Sequence, residues 1–391
     1  MKIGFLATHP IQYHAPLYRE LAKCDGIDLT VYFCHRPTPE EQGDGFGVAF
    51  EWDVDLLSGY HYCFLNNVSS RPTVGFSGYD TPEIGDIIRH ERFDWFIIQG
   101  WNRKACWQGF RACWRSGTKL GVRSDSPLTT GIGGPRRRLF DLLKRMFYPL
   151  IMTRFDLCLP YGQLSADYFL SYGAKRIVIS PHFVDNHFFS RGVAVWNPRR
   201  MELRRRWGIP QEAFCFVFCG KFQQKKHPMD ILKAFKDLYD ALNGETVHLL
   251  MVGDGELRNE CERFSRVNNL PVTFAGFLNQ GEIVKGYVAA DCLVLASDSG
   301  ETWGLVVNEA MACGLPAIVS DACGCLPDLI VEGETGYSFP CGDIRALADC
   351  MGRMVSDRDA SRRMGEGARR HISSFSVEHA ADRLIEAISF Q

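Results

Sequence analysis

The sequence predicts an α/β protein built from two Rossmann-like, doubly wound domains in tandem, facing a cleft. Three observations predict it. Short apolar runs alternate with helical periodicities, as buried parallel strands alternate with crossover helices. The alternation fades through an arginine-rich stretch at 190–212 and then restarts. The length, 391 residues, suits two domains of ordinary size.

Lys2–Ala7 reads as a first strand, Leu17–Cys24 as a helix and Leu29–Cys34 as a second strand. Residues 35–80 are rich in Gly, Pro and aromatics without a period, which reads as an irregular acceptor-side excursion. Helix Thr81–His90, strand Trp95–Gln99, helix Lys104–Ser116 and strand Lys119–Val122 follow, then strands Leu157–Pro160 and Arg176–Ile179. In the second half, strands Phe214–Cys219, Val247–Val252 and Val272–Phe274 alternate with helices Pro228–Leu242, Glu256–Asn268 and Glu282–Ala289. Cys292–Ala296, Leu305–Ala312 and Ala317–Val319 make a βαβ unit that Gly314 and Pro316 punctuate. Ile344–Ser356 and Ser376–Ser389 are closing helices. The expected domains are 1–188 and 189–369, with the linker near 190–212 and the terminal helical segment 370–391 packing back on the first domain.

Composition narrows the class. Apolar residues make up 46% and charged residues 23%, enough for substantial cores. A net charge of −2 argues against a general nucleic-acid binder. The fifteen cysteines follow no framework and read as reduced thiols of a cytoplasmic protein. Cys215/Cys219 and Cys323/Cys325 lack zinc spacing, so no metal site is expected. The N-terminal apolar run is too short for a signal peptide, and no run of about 18 apolar residues exists to span a membrane. Leu139, Leu142, Leu143 and Met146 share a helix face with basic residues around them in 136–155. Two readings stay open for that helix, contact with an anionic membrane surface and cover for a core.

The chemistry concentrates at strand ends. In open parallel sheets, ligands bind outside the carboxyl ends of the strands. Glu301 lies in the loop after Cys292–Ala296, and Glu309 lies a turn into the following apolar helix, where a carboxylate needs a partner. The helix start at Gly304, Leu305 and Val306 offers free N–H groups to an anion. Gly220 gives a tight exit from the first strand of the second half, and Lys221 and Lys226 follow on the same edge. Each element also has a plain reading: solvated lysines, first-turn acids, and Asp254 as a cap or turn residue.

Together these residues resemble a known family. Glu301-Thr-Trp-Gly-Leu-Val-Val-Asn-Glu309 is similar to the E-x7-E motif of retaining glycosyltransferases of the GT-B fold, glycosyltransferase family 4 type. Gly220, Lys221 and Lys226 match that family's Gly-Arg-x4-Lys pair, with Lys in place of Arg. Gly253-Asp254-Gly255, Phe274-x-Gly276 and the glycine turns Gly324–Gly336 fall in the family's order, so the resemblance covers about 180–345. It implies metal-independent, cofactor-free transfer of a sugar from a nucleotide-diphosphate-sugar donor to a hydroxyl of a glycan or lipid-linked acceptor, at a cell-surface polysaccharide or lipopolysaccharide. It implies that Lys221, Lys226 and the backbone of Gly304, Leu305 and Val306 bind the diphosphate. Glu309 would hold the ribose, Glu301 the donor sugar, and Phe277 would frame the base. Asp53-Val54-Asp55 matches a metal-binding DxD only formally. The first half departs from the pattern: Gln12, Tyr13 and His14 stand where relatives carry a glycine-rich loop, and Arg123 and Asp125 stand near where many carry a catalytic His. These five are acceptor-side candidates, with Asp125 a candidate catalytic group beside Glu301, Lys226 and Lys221. A nucleotide-sugar epimerase and a non-catalytic donor-binding module are the competing readings. The base (uridine, guanosine or adenosine), the sugar and the acceptor are left open.

Overall fold

The computed structural model describes residues 1–126, 135–242 and 247–389. The side chains of 135–142 also lie outside the described residues, and with them Leu139 and Leu142 of the basic helix. The chain divides into two units. The first comprises 1–37, 55–182 and 377–391; the second comprises 38–54 and 183–376.

The first unit holds a six-stranded sheet: β1 Lys2–Ala7, β2 Asp28–Phe33, β3 His61–Phe64, β4 Trp95–Gln99, β5 Lys119–Ser124 and β6 Leu157–Pro160. Their order is β3-β2-β1-β4-β5-β6, all parallel. The central strands are apolar on both faces because helices cover both sides. Phe96, Ile98, Phe110, Leu120 and Phe169 are fully buried in one layer of its core. The terminal helix Val377–Ser389 belongs to this unit. Trp95 Nε1 donates to the Ile388 carbonyl at 3.2 Å, and Ser180 Oγ to that of Ala380 at 3.3 Å.

The second unit repeats the plan with β7 Phe214–Cys219, β8 Val247–Val252, β9 Val272–Gly276, β10 Cys292–Leu295, β11 Ala317–Ser320 and β12 Gly336–Phe339. The order β12-β11-β10-β7-β8-β9 is the same doubly wound arrangement, again parallel. Phe216, Phe218, Phe235, Leu249 and Met351 fill one side of the sheet with no exposure. Each buried aromatic or aliphatic side chain of this size contributes about 1.5–3 kcal/mol.

Four expectations need correction. Arg176–Ile179 is no strand; Ile177 makes a single bridge to Cys158. Residues 190–212 are no loose linker. They carry helices Asn186–Trp196 and Arg200–Arg206, and Arg204 is buried, bonded to Asp291 and to four backbone carbonyls. Residues 35–80 are only partly irregular: they supply edge strand β3 and a capped helical turn Pro39–Gln42, whose Thr38 and Glu41 form a reciprocal capping box. Within that stretch, 38–54 packs with the second unit instead of forming an acceptor-side excursion.

Candidate active site

Every loop that follows a strand of the second sheet leaves from its carboxyl edge, and the candidate residues gather there. The loop after β7 and the loop after β10 are tied together. Asp298 N donates to the Lys225 carbonyl at 2.9 Å, and Lys226 Nζ forms an ion pair with Glu301, both side chains largely buried. His227 joins the same seam, with Nδ1 2.7 Å from Asp230 and Nε2 3.8 Å from Asp298. The Glu301 carbonyl accepts from Gly324 N at 3.0 Å, and that of Trp303 from Cys325 N at 3.0 Å. Trp303 Nε1 donates to Asn308 Oδ1 at 2.8 Å. The loop that carries Glu301 is therefore held on three sides, which fixes the carboxylate instead of leaving it solvated.

Gly304 caps helix Leu305–Ala312 at φ 110°, and an added Cβ would stand 2.8 Å from Leu295 Cδ2. The helix start can turn off the strand end only with glycine there. Leu305 and Val306 follow as its first residues, with backbone N–H groups at the edge. One turn later Glu309 is buried at 2% exposure and accepts a hydrogen bond from the Tyr287 hydroxyl at 2.6 Å. Burying a carboxylate costs several kcal/mol without such donors.

Gly220 and Gly253 meet behind Lys221. Gly253 at φ 126° lies so close that a Cβ would come within 1.9 Å of the Gly220 carbonyl oxygen. Lys221 Nζ donates to the Asp44 carbonyl and lies 4.8 Å from the centre of the Phe46 ring. Burial pushes its ammonium down from the usual lysine range, and Lys225 and Lys226 add repulsion. Phe277 packs between Phe46 and Phe50, with ring centres 4.9 and 4.3 Å away. Asp254 has the plain role weighed for it, accepting from Gly255 N at 2.8 Å and pairing with Arg258 at 2.6 Å. Asp53 accepts from Gly281 N at 2.9 Å, and Asp55 from Leu57 N at 3.0 Å; both DxD carboxylates are spent on backbone.

The first unit has its own polar cluster at the carboxyl edge of its sheet. Arg123, near the end of β5, is fully buried, with its guanidinium carbon 4.2 Å from the Tyr161 ring centre. Tyr161 donates to Gln99 Oε1 at 3.0 Å, Gln99 donates to the Tyr18 hydroxyl at 3.3 Å, and His182 stacks on Tyr161 at 4.2 Å. Burial and the Arg123 charge hold His14 at about 3 and His182 well below the usual histidine range, so both are neutral at pH 7. The same burial pushes Tyr161 up to about 12. Gln12 and Tyr13 sit half-buried in the turn before His14, and Asp125 follows β5, half-buried. Sequence reasoning named Arg123 and His14 but missed Tyr18, Gln99, Tyr161 and His182. Polar residues ending apolar strands, as Gln99 does, were the available signal.

Among the described residues, no helix is long and apolar enough to cross a membrane.

A model of the family described as Glycosyl transferases group 1 matches residues 199–371. The chain is 32% identical over 220 residues to the GDP-mannose-dependent alpha-(1-6)-phosphatidylinositol dimannoside mannosyltransferase of Mycobacterium tuberculosis (strain ATCC 25177 / H37Ra), covering 55% of this chain and 53% of that protein. It is 31% identical over 200 residues to the N-acetyl-alpha-D-glucosaminyl L-malate synthase of Bacillus anthracis, covering 51% and 49%. The chain thus spans about half the length of these relatives. A glycosyltransferase of Rickettsia africae shares the fold over 99% of this chain and 97% of its own, at a TM-score of 0.74 and 16% identity. HepE of Anabaena, solved in complex with UDP, does so over 100% of both chains at 0.73 and 17%. The two six-stranded parallel sheets are the two Rossmann-like domains of the GT-B fold, and residues 199–371 match the family model described as Glycosyl transferases group 1.

Proposed function

We propose that the chain is a retaining glycosyltransferase that needs no metal and moves a sugar from a nucleotide-diphosphate-sugar to a hydroxyl of a glycan or lipid-linked acceptor. One observation carries the reading: Lys221, the Lys226–Glu301 pair, the start of helix Leu305–Ala312 and buried Glu309 share one edge of the second sheet. Departure of a nucleoside diphosphate develops negative charge on the leaving oxygen. Lys226, Lys221 and the N–H groups of Leu305 and Val306 supply fixed positive charge there, the largest contribution a site of this kind makes. Glu309, buried and held by the Tyr287 hydroxyl, would take the ribose hydroxyls. Glu301, tied to Lys226, links the sugar hydroxyls to the phosphate-binding cation. Front-side attack leaves the departing phosphate to take the acceptor proton, so the protein's share is positioning and charge stabilisation. In the first unit, neutral His14 and the Arg123–Asp125 neighbourhood are the proposed acceptor contacts.

The relatives support nucleotide-sugar chemistry and differ in base: one is named for GDP-mannose, and HepE was solved with UDP. A thermal-shift screen across UDP-, GDP- and ADP-sugars identifies the base, because a ligand stabilises the state it binds. Turnover with Glu309→Ala and Lys226→Ala then tests the site, and wild-type rates in both would sink the proposal. Product of altered sugar without acceptor would indicate an epimerase; tight binding without turnover over an acceptor panel would indicate a binding module. The anomeric configuration of the product, read by NMR, tests retention.

A second observation favours action at the cytoplasmic membrane face. Leu143, Met146, Phe147 and Leu150 of helix Pro135–Met152 are exposed at helical spacing, with Lys144 and Arg145 between them. An apolar stripe flanked by cations suits an anionic lipid surface. Binding to anionic vesicles that weakens with salt and is lost in Phe147→Glu, Leu150→Glu supports this; equal binding by the variant removes it.

A further inference from the structure

The opposite, amino-terminal edge of the second sheet holds a cavity of about 330 Å³. Phe214, Asp291 and Pro316, at or just before the starts of β7, β10 and β11, form part of its lining. Two helices add four guanidinium groups to the lining, Arg200 and Arg204 from one and Arg358 and Arg362 from the other, each pair at i,i+4. The carboxylates in the lining are Asp291 and Glu212. The cations therefore exceed the anions by two, and by one when Asp359, which holds Arg362 at 2.9 Å, is included.

These arginines are not equally committed. Arg204 is spent on structure: it donates to the carbonyls of Pro210, Gln211, Ala213 and Ala289 and to Asp291. Arg200 is spent likewise: it donates to the carbonyls of Val288, Ala289 and Ala290 and shares Asp291, whose other oxygen already serves Arg204 and Cys215 N. Arg358 donates one nitrogen to a neutral acceptor, the Glu212 carbonyl, at 2.8 Å. The Arg362–Asp359 pair is exposed on both sides, and such pairs exchange partners at little cost. Planar guanidinium forks facing one cavity match a phosphate.

The cavity also touches the donor site from behind. The lining includes Tyr287, whose hydroxyl bonds Glu309 at 2.6 Å, and Cys313, whose N–H donates to the Glu309 carbonyl at 3.0 Å. We propose that this cavity is a second ligand site for a small phosphate ester, coupled to the donor site through Tyr287. The coupling rests on the role proposed above for Glu309; the phosphate site does not.

The test is a titration of inorganic phosphate and a hexose 6-phosphate into the full chain, read by thermal midpoint and calorimetry. Wild type, Lys226→Ala and the double variant Arg358→Gln, Arg362→Gln are compared. We expect the ester response to persist in Lys226→Ala and to weaken at least tenfold in the double variant. Urea midpoints confirm that both fold, and Arg362→Gln alone, at an exposed position, should already weaken the response severalfold. A response lost in Lys226→Ala and unchanged in the double variant overturns the site, as does no response in wild type. For the coupling, the affinity of the best nucleotide-sugar is measured with and without the ester in wild type and the double variant. A shift of about 5–150-fold, the usual range of linked sites, should appear in wild type alone and vanish in Tyr287→Phe. An ester response without that shift removes the coupling. If donor binding also ignores Glu309→Ala, the failed reading is that of Glu309, not that of the cavity.

Discussion

Replacing Glu309 by Gln separates what this residue does for folding from what it does for the donor. The amide keeps the shape and keeps an oxygen that accepts from the Tyr287 hydroxyl, now 2.6 Å from the carboxylate. It removes one charge from a side chain that is 2% exposed. On the folding side, a charge-assisted hydrogen bond worth about 1.5–3 kcal/mol becomes a neutral one of about 1 kcal/mol. The desolvation penalty of a buried carboxylate disappears at the same time. The two changes oppose each other, so the urea midpoint should move by no more than about 1 kcal/mol. On the binding side nothing offsets the loss. Ribose hydroxyls donating to a carboxylate lose about 1–2 kcal/mol each when they donate to an amide instead, and the amide presents an N–H where an acceptor is required. With both hydroxyls engaged, the loss is about 2–4 kcal/mol, or roughly 30- to 900-fold in Kd. The assay is calorimetric titration of UDP, GDP and ADP into Glu309→Gln and wild type, with urea unfolding alongside. Affinity within about twofold of wild type for the nucleotide that binds best, in a protein of unchanged stability, would refute the ribose assignment.

Other perturbations probe other links. Lys226→Ala strands Glu301, whose side chain is only 15% exposed, and should lower donor affinity about tenfold or more, while Lys226→Arg keeps part of it by calorimetry. Arg204→Ala removes one donor from Asp291 and from each of four carbonyls and should cost about 3–5 kcal/mol in urea unfolding; a loss below about 1 kcal/mol would mean that helix Arg200–Arg206 is only surface decoration. His14 is held at about 3 and His248 at about 4, both mainly by burial, against an ordinary 6.5. The unfolded chain takes up those protons first as pH falls below 6.5, so stability is lost on acidification between 6.5 and these values, by up to about 1.4 kcal/mol per pH unit for each. Urea midpoints from pH 7 to 4 should show that slope, and His14→Gln should lessen it; an identical slope in the variant would remove His14 from the account.

Why was the second unit legible and the first only partly so? In the second unit the chemistry is local in sequence. Glu301, Gly304 and Glu309 lie in one βαβ stretch, and Lys221 and Lys226 in one loop, so spacing alone brings them near a strand end. The strands also announce themselves: Phe214–Cys219 and Val247–Val252 are unbroken apolar runs because helices cover both faces. In the first unit the cluster around Arg123 draws on helix Ala15–Lys23, the ends of β4 and β6 and the loop at His182. Its members are Tyr18, Gln99, Tyr161 and His182, and no spacing rule joins residues that far apart in the chain. The arginines at 200 and 204 misled for a related reason. An arginine-rich stretch reads as linker, yet these two share one carboxylate, Asp291, 87 and more residues away, and donate to backbone carbonyls around it.

The stretch 38–54 makes the same point at the donor edge, where the consequence is functional. Its aromatic residues carry no period, so the sequence reads it as loop, but aromatic rings pack wherever an apolar surface is offered. Phe46 and Phe50 find Phe277, and Lys221 lies between the Phe46 ring and the Asp44 carbonyl. The family resemblance implies that Phe277 frames the nucleotide base, and a base stacks on a ring as these phenylalanines do. On the donor-site proposal, the base and the two rings would compete for one surface, and a diphosphate would compete with the Asp44 carbonyl for one ammonium. Affinity for the nucleotide would then be set by a difference between two contacts. Phe50→Ala should raise affinity for the base-bearing donor while lowering the stability of the second unit. If instead it weakens nucleotide binding in a folded protein, Phe50 belongs to the base pocket itself and the competition does not exist.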